Sequence, residues 1–574
     1  MAGKGIVRLQ NYCYNTIISV ISVEPKFFRF RGSGKFFRCP QHYCAQGGNV
    51  VKTVKSVKKK GTRTAAAVGI GSKLLRMRIA QLRKGEVSEL ESLEYPISIG
   101  HEVFSNTKIS FESIRSISSA LRGFSALMQE YGVDSCRVVA TTALREAVNR
   151  AFVVDQLKIQ NGVQVEILED NQEKAFVYGE ILKQLPERLK DGNTLIAYIG
   201  TGSIGVAVIR DETAVFSKNI PVGALKLHDM LGSLQASSIH FHEVLEEYIH
   251  VAVGRFLSVY PGGFPSVSQL VLADNGSALI ASLCKAEKKG GVYTIQADSV
   301  RELYATIRNM TPEKISFSYQ ISESDAELLY TTLSIYLYLI NLTGVKSIYA
   351  PQVDLLRPIL QEILLPKTRE LAFDRVRRST LACVRELGKS FQCNMEHAER
   401  IAELSGLLFD RMKEIHGLDS RNRLLLEVAS LLHECGYYTH PRQYSNSTFH
   451  VIRSMDIYGI AEKELYLVAS TFLPADSPEA ADSLSVRQQL IVSKLAAIFR
   501  LADSLDQSQK QKLKNLKARL DKNRLLITAE SMESASLEEW AFSQAVPFFE
   551  DVFGVHPELT VRDAPVKTAK QRKV

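Results

Sequence analysis

The chain has 574 residues, 45% hydrophobic and 23% charged, with a formal net charge of +9. These are globular values, enough for three or four domains, and no apolar run approaches the roughly 18 residues of a membrane span. Residues 1–64 carry thirteen Lys/Arg against a single acid, Glu24, so the other 510 residues sum to −3; the near-neutral body implies no membrane and no specific nucleic-acid partner.

The basic leader, residues 1–63, lacks the long apolar core and small-residue cleavage site of a secretory signal. It reads as a basic tail for polyanions, a disordered extension, or a start codon placed too early. The last two together are preferred, because the first folded strand is expected near Thr64. Cys39 and Cys44 with His42 are at most half a zinc site, with no second pair nearby. The eight cysteines are scattered and mostly in apolar runs, which suits a reducing, cytoplasmic setting.

Ala65 to Gln81 reads as an apolar strand, a Gly-x-Gly-Ser turn (Gly69, Gly71, Ser72) and a second strand. Helical spacing runs from Ile109 to Tyr131 and stops at Gly132. Cys136 to Ala140 is a strand, followed by ATTALREAVNR, whose Arg145 opens a helix just past the strand end. That position suits a bidentate grip on phosphate, or a plain surface contact with Glu146 or Asn149. Val163 to Leu168 is a strand; Asp170 and Glu173 precede a helix expected from Ala175 to Leu185, where acids complement the helix dipole. Asn193 to Arg210 repeats the strand, glycine turn, strand pattern with Gly200, Thr201, Gly202 and Ser203 at the turn. Such a turn is either simple hairpin chemistry or a nest of N–H groups for an oxyanion. Two such units about 130 residues apart suggest a duplicated fold. The pattern resembles the superfamily of actin, hexokinase and the DnaK-type chaperones.

AAAVGIGSKLLRMRIA, VVATTALREAVNR, VEILEDNQEKAFVYG, LIAYIGTGSIGVAVI, IPVGALKL and LVLADNGSALIA occur in that order. Together they resemble the Ppx/GppA family of exopolyphosphatases and guanosine pentaphosphate phosphohydrolases, from about Thr64 to Asp563. The resemblance implies two ribonuclease H-like, actin-like lobes, residues 64–190 and 191–365, facing each other across a cleft. It implies terminal phosphates of polyphosphate or a guanosine alarmone held by glycine loops, Mg²⁺ held by loop acids, and a homodimer. Matched to its motifs, Gly71 and Ser72 fall on the first loop, and Gly200, Gly202 and Ser203 on the second, with Thr201 in place of a third glycine. Asn275, Gly276 and Ser277 fall on a later loop, Arg145 on the phosphate-gripping arginine, and Glu173 on the water-activating glutamate. Lys73 is new and could meet a phosphate as a point charge. The loop acids are absent: Gly69, Tyr198 and Gly205 stand in their places. A hard cation loses its protein ligands there, which puts Mg²⁺ dependence in question.

Ala326 to Leu342 reads as a helix, Val345 to Pro351 as a strand, and Leu364 to Arg378 as a linker. In residues 366–510, Glu396-His397, His433-Glu434 and Asp503 resemble the HD metal-phosphohydrolase bundle, with Glu434 for the usual Asp. Other strings of that bundle are missing: Ser445 to Thr448 stand in place of His-Lys-His-Ser, and Thr471 to Pro474 in place of Tyr-His-Arg-Lys. Metal on His397, His433, Glu434 and Asp503 competes with a plain helical lid or dimer domain. Residues 511–574 read as a small α/β segment, its helix interrupted at Pro547, with a basic tail. The expected fold class is α/β: two actin-like lobes, a helical bundle and a small α/β end. The expected function is hydrolysis of a terminal phosphoanhydride; the alternative is a non-catalytic sensor of polyphosphate or a guanosine alarmone.

Overall fold

The two glycine turns close in the same way. In a computed structural model, which describes residues 29–30, 62–187, 192–235, 241–258, 265–274, 276–474 and 484–563, the Gly71 N–H donates to Leu74 O at 3.0 Å and the Gly200 N–H to Ser203 O at 2.9 Å. A Cβ at either glycine would stand 3.0 or 2.9 Å from that same carbonyl oxygen, so the turn requires glycine. Apart from Arg29–Phe30, the expectations for the leader, including its cysteines and His42, lie outside the described residues, as do Asn275 and the basic tail.

The chain divides into two units: Met1–Val103, Thr107–Glu166 and Ile359–Leu365, then Phe104–Asn106, Ile167–Pro358 and Pro366–Val574. In the first, β1 (Arg63–Ile70), β2 (Leu74–Arg83) and β3 (Glu86–Pro96) form an antiparallel meander. β4 (Ser135–Ala140) joins β1 in parallel and β5 (Val165–Ile167) lies beyond it. The two residues Arg29–Phe30 pair with β3 at the edge. The second unit repeats this with β6 (Thr194–Ile199), β7 (Ile204–Arg210), β8 (Thr213–Ile220) and β9 (Gln269–Asp274). Its sheet continues through β10 (Glu287–Lys289), β11 (Val292–Gln296) and β12 (Ser347–Pro351) in the order β10-β11-β12-β9-β6-β7-β8. Third, second, first, fourth is thus the strand order shared by both units, the duplication that the glycine turns suggested. All six residues of β6 are buried, as the central strand of a two-faced sheet requires.

Helices follow in α1 (Ile99–Asn106), α2 (Phe111–Glu130), α3 (Thr142–Glu146), α4 (Asp170–Gln184) and α5 (Ala224–Gln235). The Glu169–Gln172 capping box starts α4 five residues before the expected Ala175. α4 also belongs to the second unit rather than to a first lobe ending at 190. Val177, Tyr178 and Ile181 of α4 share a core with Ile196 and Val271 of the sheet and with Cys383 and Tyr458.

The expected linker is instead α6 (Pro366–Ser390), a 25-residue helix. Its polar character hid small residues that pack closely: Ala214 N–H donates to Ser379 Oγ at 3.1 Å, and Cys383 Sγ to Ala214 O at 3.2 Å. α7 (Met395–Arg411), α8 (Ser420–Leu432), α9 (Tyr444–Arg453) and α10 (Val486–Ser504) build the bundle. β13 (Lys514–Asp521), β14 (Arg524–Ser531), α11 (Ser536–Phe553) and β15 (His556–Asp563) complete the chain. α11 runs through Pro547 without a break. Leu525, Ile527, Phe542 and Phe549 lie in one core with Leu404, Leu432 and Leu501, so the α/β end and the bundle are one packed body. No helix among the described residues is long and apolar enough to cross a membrane.

Candidate functional site

In the first unit, β1 and β4 are parallel neighbours with Ile70 paired to Ala140, so the Gly71 turn and α3 leave the same end of the sheet. Ser72 is buried and Lys73 half-buried. The carbonyls of Ser72 and Lys73 accept from the N–H groups of Gly100 and Ile97, at the start of α1. Arg145, half-buried in α3, donates from Nη2 to Thr142 Oγ1 at 3.0 Å.

The second turn is backed the same way. Gly200 O accepts from the Ala224 N–H, and Thr201 O from the Leu225 and Lys226 N–H groups, at the start of α5. Gly223 makes this possible: a Cβ there would stand 2.5 Å from Gly200 O, Gly202 N and Ser203 N. In both units the turn carbonyls are therefore held by the helix that follows the third strand.

What fills the space beneath the second turn is a lysine. Lys174 is 1% exposed, and its Nζ donates to Ser203 Oγ at 3.2 Å. The Ser203 hydroxyl in turn donates to Asp170 Oδ1 at 3.3 Å, and the ammonium lies 4.9 Å from the centre of the Tyr198 ring. Asp170 and Lys174 are four apart, so one face of α4 meets the turn. Glu173, buried at 5% exposure, is one residue round the helix from Lys174. Gly205 leaves room for the lysine stem: a Cβ there would be 2.5 Å from Lys174 Cε and 2.6 Å from Tyr178 Oη. Tyr198 and Gly205 stand where the resemblance would place loop carboxylates, and the carboxylate that meets this turn is instead that of Asp170 on α4.

Ile199 pairs with Asp274 in parallel register, so the segment after β9 leaves beside the Gly200 turn. The Asp274 carboxylate accepts from Tyr336 Oη at 2.6 Å and from the Gly276 N–H. Burial pushes its pKa up to about 6 against the lowering effect of those bonds. Ser277, also buried, donates to Asp274 O at 3.3 Å.

The bundle brings together three of its four expected residues. Among the described residues, His397, His433 and Asp503 form the one group of three His/Cys/Asp/Glu whose ligand atoms lie within 4.8 Å of one another. His397 Nε2 is 3.5 Å and His433 Nε2 3.9 Å from Asp503 Oδ1. His397 Nδ1 pairs with Asp506 Oδ2 at 2.9 Å, and His433 Nδ1 with Ser430 O at 2.8 Å. Burial alone would lower the His397 imidazole, but its bonds to Asp503 and Asp506 and their charges push it up to about 9. Glu434 is not part of the group. Its carboxylate accepts from the Asn394 N–H and from Gln509 Nε2, both at 2.8 Å.

Three contributors were missed from sequence. Lys174 lay beside the residue that the family match singled out; Asp170, four residues back, was the signal for its face. Asp274 stood at the head of the Asn-Gly-Ser match, and Asp506 one helical turn beyond Asp503.

Two family models match the chain: Ppx/GppA phosphatase family over residues 78–340, and Ppx/GppA phosphatase, domain III, over residues 376–544. A curated guanosine-5'-triphosphate,3'-diphosphate pyrophosphatase of Photobacterium profundum is 21% identical over 448 residues, covering 76% of this chain and 84% of its own. A crystal structure of the Aquifex aeolicus member of the Ppx/GppA family is 18% identical with a TM-score of 0.45, covering 53% of this chain and 99% of that one. An exopolyphosphatase structure from Cytophaga hutchinsonii is 14% identical with a TM-score of 0.47, covering 53% and 98%.

Proposed function

Because the chain belongs to the Ppx/GppA phosphatase family, we propose that it binds the terminal phosphates of polyphosphate or a guanosine pentaphosphate and hydrolyses them slowly, without a loop-bound Mg²⁺. The observation that carries this reading is the buried Lys174 ammonium under the Gly200–Ser203 turn. A fixed positive charge there replaces part of the neutralisation that phosphoryl transfer needs, but does not bridge two phosphate oxygens as a metal does. We assign phosphate contacts to Gly71, Ser72, Lys73 and Arg145 in the first unit, and to Gly200, Thr201, Gly202, Ser203 and the 275–277 loop in the second. Glu173 is the carboxylate assigned to activate water.

The same lysine favours a second reading, a non-catalytic sensor of these ligands. Calorimetric titration with tripolyphosphate and guanosine pentaphosphate, with phosphate release followed in parallel, separates the two. Binding with slow release supports the hydrolase; binding with none supports the sensor. Arg145→Ala should weaken binding by about 1.5–3 kcal/mol, the scale of a charged hydrogen bond. Equal affinity in wild type and variant would remove Arg145 from the site. A cytoplasmic homodimer completes the proposal, and light scattering of the purified chain tests the dimer.

A further inference from the structure

The first turn of α4 is held from two sides. On one side Asp170 and Lys174 meet Ser203 of the glycine turn. On the other, residues 454–461 of the bundle, between α9 and the helix Glu462–Ser470, lie against the helix start. Asn171 Nδ2 donates to Asp456 Oδ1 at 2.6 Å and to Ile460 O at 3.4 Å. The Glu462 N–H donates to Glu169 Oε2, on the residue that caps α4. The other oxygen of Asp456, Oδ2, accepts from the Asn219 N–H at 3.0 Å. Asn219, near the end of β8, pairs with Gly205 of β7, and Gly205 is where the Lys174 stem passes. One carboxylate therefore joins the helix that carries Glu173 to the sheet that carries the Gly200 turn.

The segment that carries Asp456 is itself anchored in two cores. Ile457 and Ile460 lie in the bundle core with Leu432 and Leu501. Tyr458 lies in the core of α4 and the sheet, its ring stacked on Tyr178 with centres 6.1 Å apart and planes at 7°. Its main chain is tied as well: Tyr458 O accepts from Thr380 Oγ1 at 2.9 Å, and Gly459 O from Arg421 Nη2 at 2.6 Å. A side chain on so fixed a segment gives the helix start a rigid reference.

We propose that Asp456 is a positioning residue for Glu173. By holding Asn171 and Asn219 together it braces the start of α4 against the sheet, and so places the Glu173 carboxylate two residues further on. This rests on the reading of Glu173 as the carboxylate that activates water. Asn171 and Lys174 are three apart and neighbours on the helix surface, so the Asp456 bond and the Ser203 bond grip the same turn of helix. Bonds to a carboxylate are the stronger class, which suits a brace. A general base must stand within hydrogen-bond reach of its water, and a shift of about 1 Å from a change far from the chemistry can cost about a hundredfold in rate. The bundle thus contributes to the reaction without touching substrate.

The test is amide hydrogen exchange and phosphate release from tripolyphosphate, both on the full chain, in wild type, Asp456→Asn, Asn171→Asp and the double variant. Asp456→Asn is isosteric but sets an amide group against a donor. Asn171→Asp sets a carboxylate against a carboxylate. In the double variant donor and acceptor exchange places: the amide at position 456 donates to the carboxylate at position 171, and its oxygen still accepts from the Asn219 N–H. Each single variant should speed exchange of the N–H groups of residues 173–177 roughly tenfold while leaving those of α8 unchanged. Each should lower kcat about tenfold with KM within about twofold. The double variant should recover most of both losses. Unchanged exchange at residues 173–177 in both single variants would overturn the brace. So would a double variant no better than the singles, the result that a general loss of packing gives. Faster exchange with kcat unchanged, where Glu173→Gln abolishes release, would overturn the positioning role. Faster exchange that the double variant rescues, where Glu173→Gln leaves release undiminished or wild type releases nothing, would instead strike the assignment of Glu173 and leave the brace standing.

Discussion

Lys174 Nζ lies 3.2 Å from Ser203 Oγ, and that hydroxyl donates onward to Asp170 Oδ1. A cation, a turn hydroxyl and a carboxylate thus run in line from α4 into the glycine turn. A buried ammonium is costly unless hydrogen-bonded, so this chain fixes both the lysine and the turn. Charges of both signs therefore stand at this turn, the Lys174 ammonium and the Asp170 carboxylate.

Lys174→Ala removes the charge and its stem from a fully buried place. Loss of a charged hydrogen bond together with the packing should lower stability by about 2–3 kcal/mol in urea unfolding. An unchanged midpoint would mean that the ammonium does not hold the turn.

Gly223→Ala probes the same turn from the other side. Its Cβ would press on three main-chain atoms of Gly200, Gly202 and Ser203 at 2.5 Å, and main chain yields less readily than a side chain end. Overpacking of this kind costs about 1–3 kcal/mol, and the displaced turn should lose affinity for tripolyphosphate. Gly123→Ala is the contrasting change. Gly123 is exposed within α2 with nothing near its missing Cβ, so alanine should stabilise by about 0.5–1 kcal/mol through helix propensity. Native tripolyphosphate affinity in Gly223→Ala would show that the turn's shape does not matter for binding.

The turns themselves were legible because glycine spacing records a backbone requirement, and Gly71 and Gly200 do meet one. Helix α2 and strands β4 and β12 followed from apolar period alone. Lys174 was not legible, because its neighbour Glu173 fits the same helix and only the docking of α4 decides which side chain reaches Ser203. α6 was hidden by composition: Arg375, Arg377 and Arg378 read as linker, yet Arg377 pairs with Glu427 of α8 and Ser379 and Thr380 are buried. Of the bundle residues, His397, His433 and Asp503 meet, while Glu434 is drawn to Asn394 and Gln509. A sequence shows that an acid follows His433, not which way it turns.

Asp274 gives a pH dependence with a definite sign. Burial raises its folded pKa from 3.8 to about 6. A raised pKa contributes stability that is complete below the unfolded value and lost as pH rises through the folded one. The wild type should therefore lose on the order of 3 kcal/mol from this group between about pH 4 and pH 7. Asp274→Asn stays neutral, so the stability difference between wild type and variant isolates the effect. That difference should move against the wild type across pH 4–7 and be flat above; a difference constant throughout would remove the burial penalty.

Catalysis rests on whether a carboxylate beside a fixed cation suffices. General-base work needs a carboxylate within reach of water, the role proposed for Glu173. In the proposed mechanism, charge neutralisation at the second turn falls to Lys174, because Tyr198 and Gly205 replace the loop carboxylates that would hold a metal. An ammonium matches one negative charge and cannot follow the spread of charge over three equatorial oxygens as a bridging metal does. Phosphate release from tripolyphosphate should therefore be slow and should change little when EDTA replaces Mg²⁺. Glu173→Gln keeps the shape of the side chain and removes its basicity, so it should abolish the residual release while leaving tripolyphosphate affinity intact. Brisk hydrolysis that stops on chelation would refute metal-free turnover. Release undiminished in Glu173→Gln would instead move the base to another carboxylate, with Asp170, on the face of α4 that meets Ser203, the next to replace.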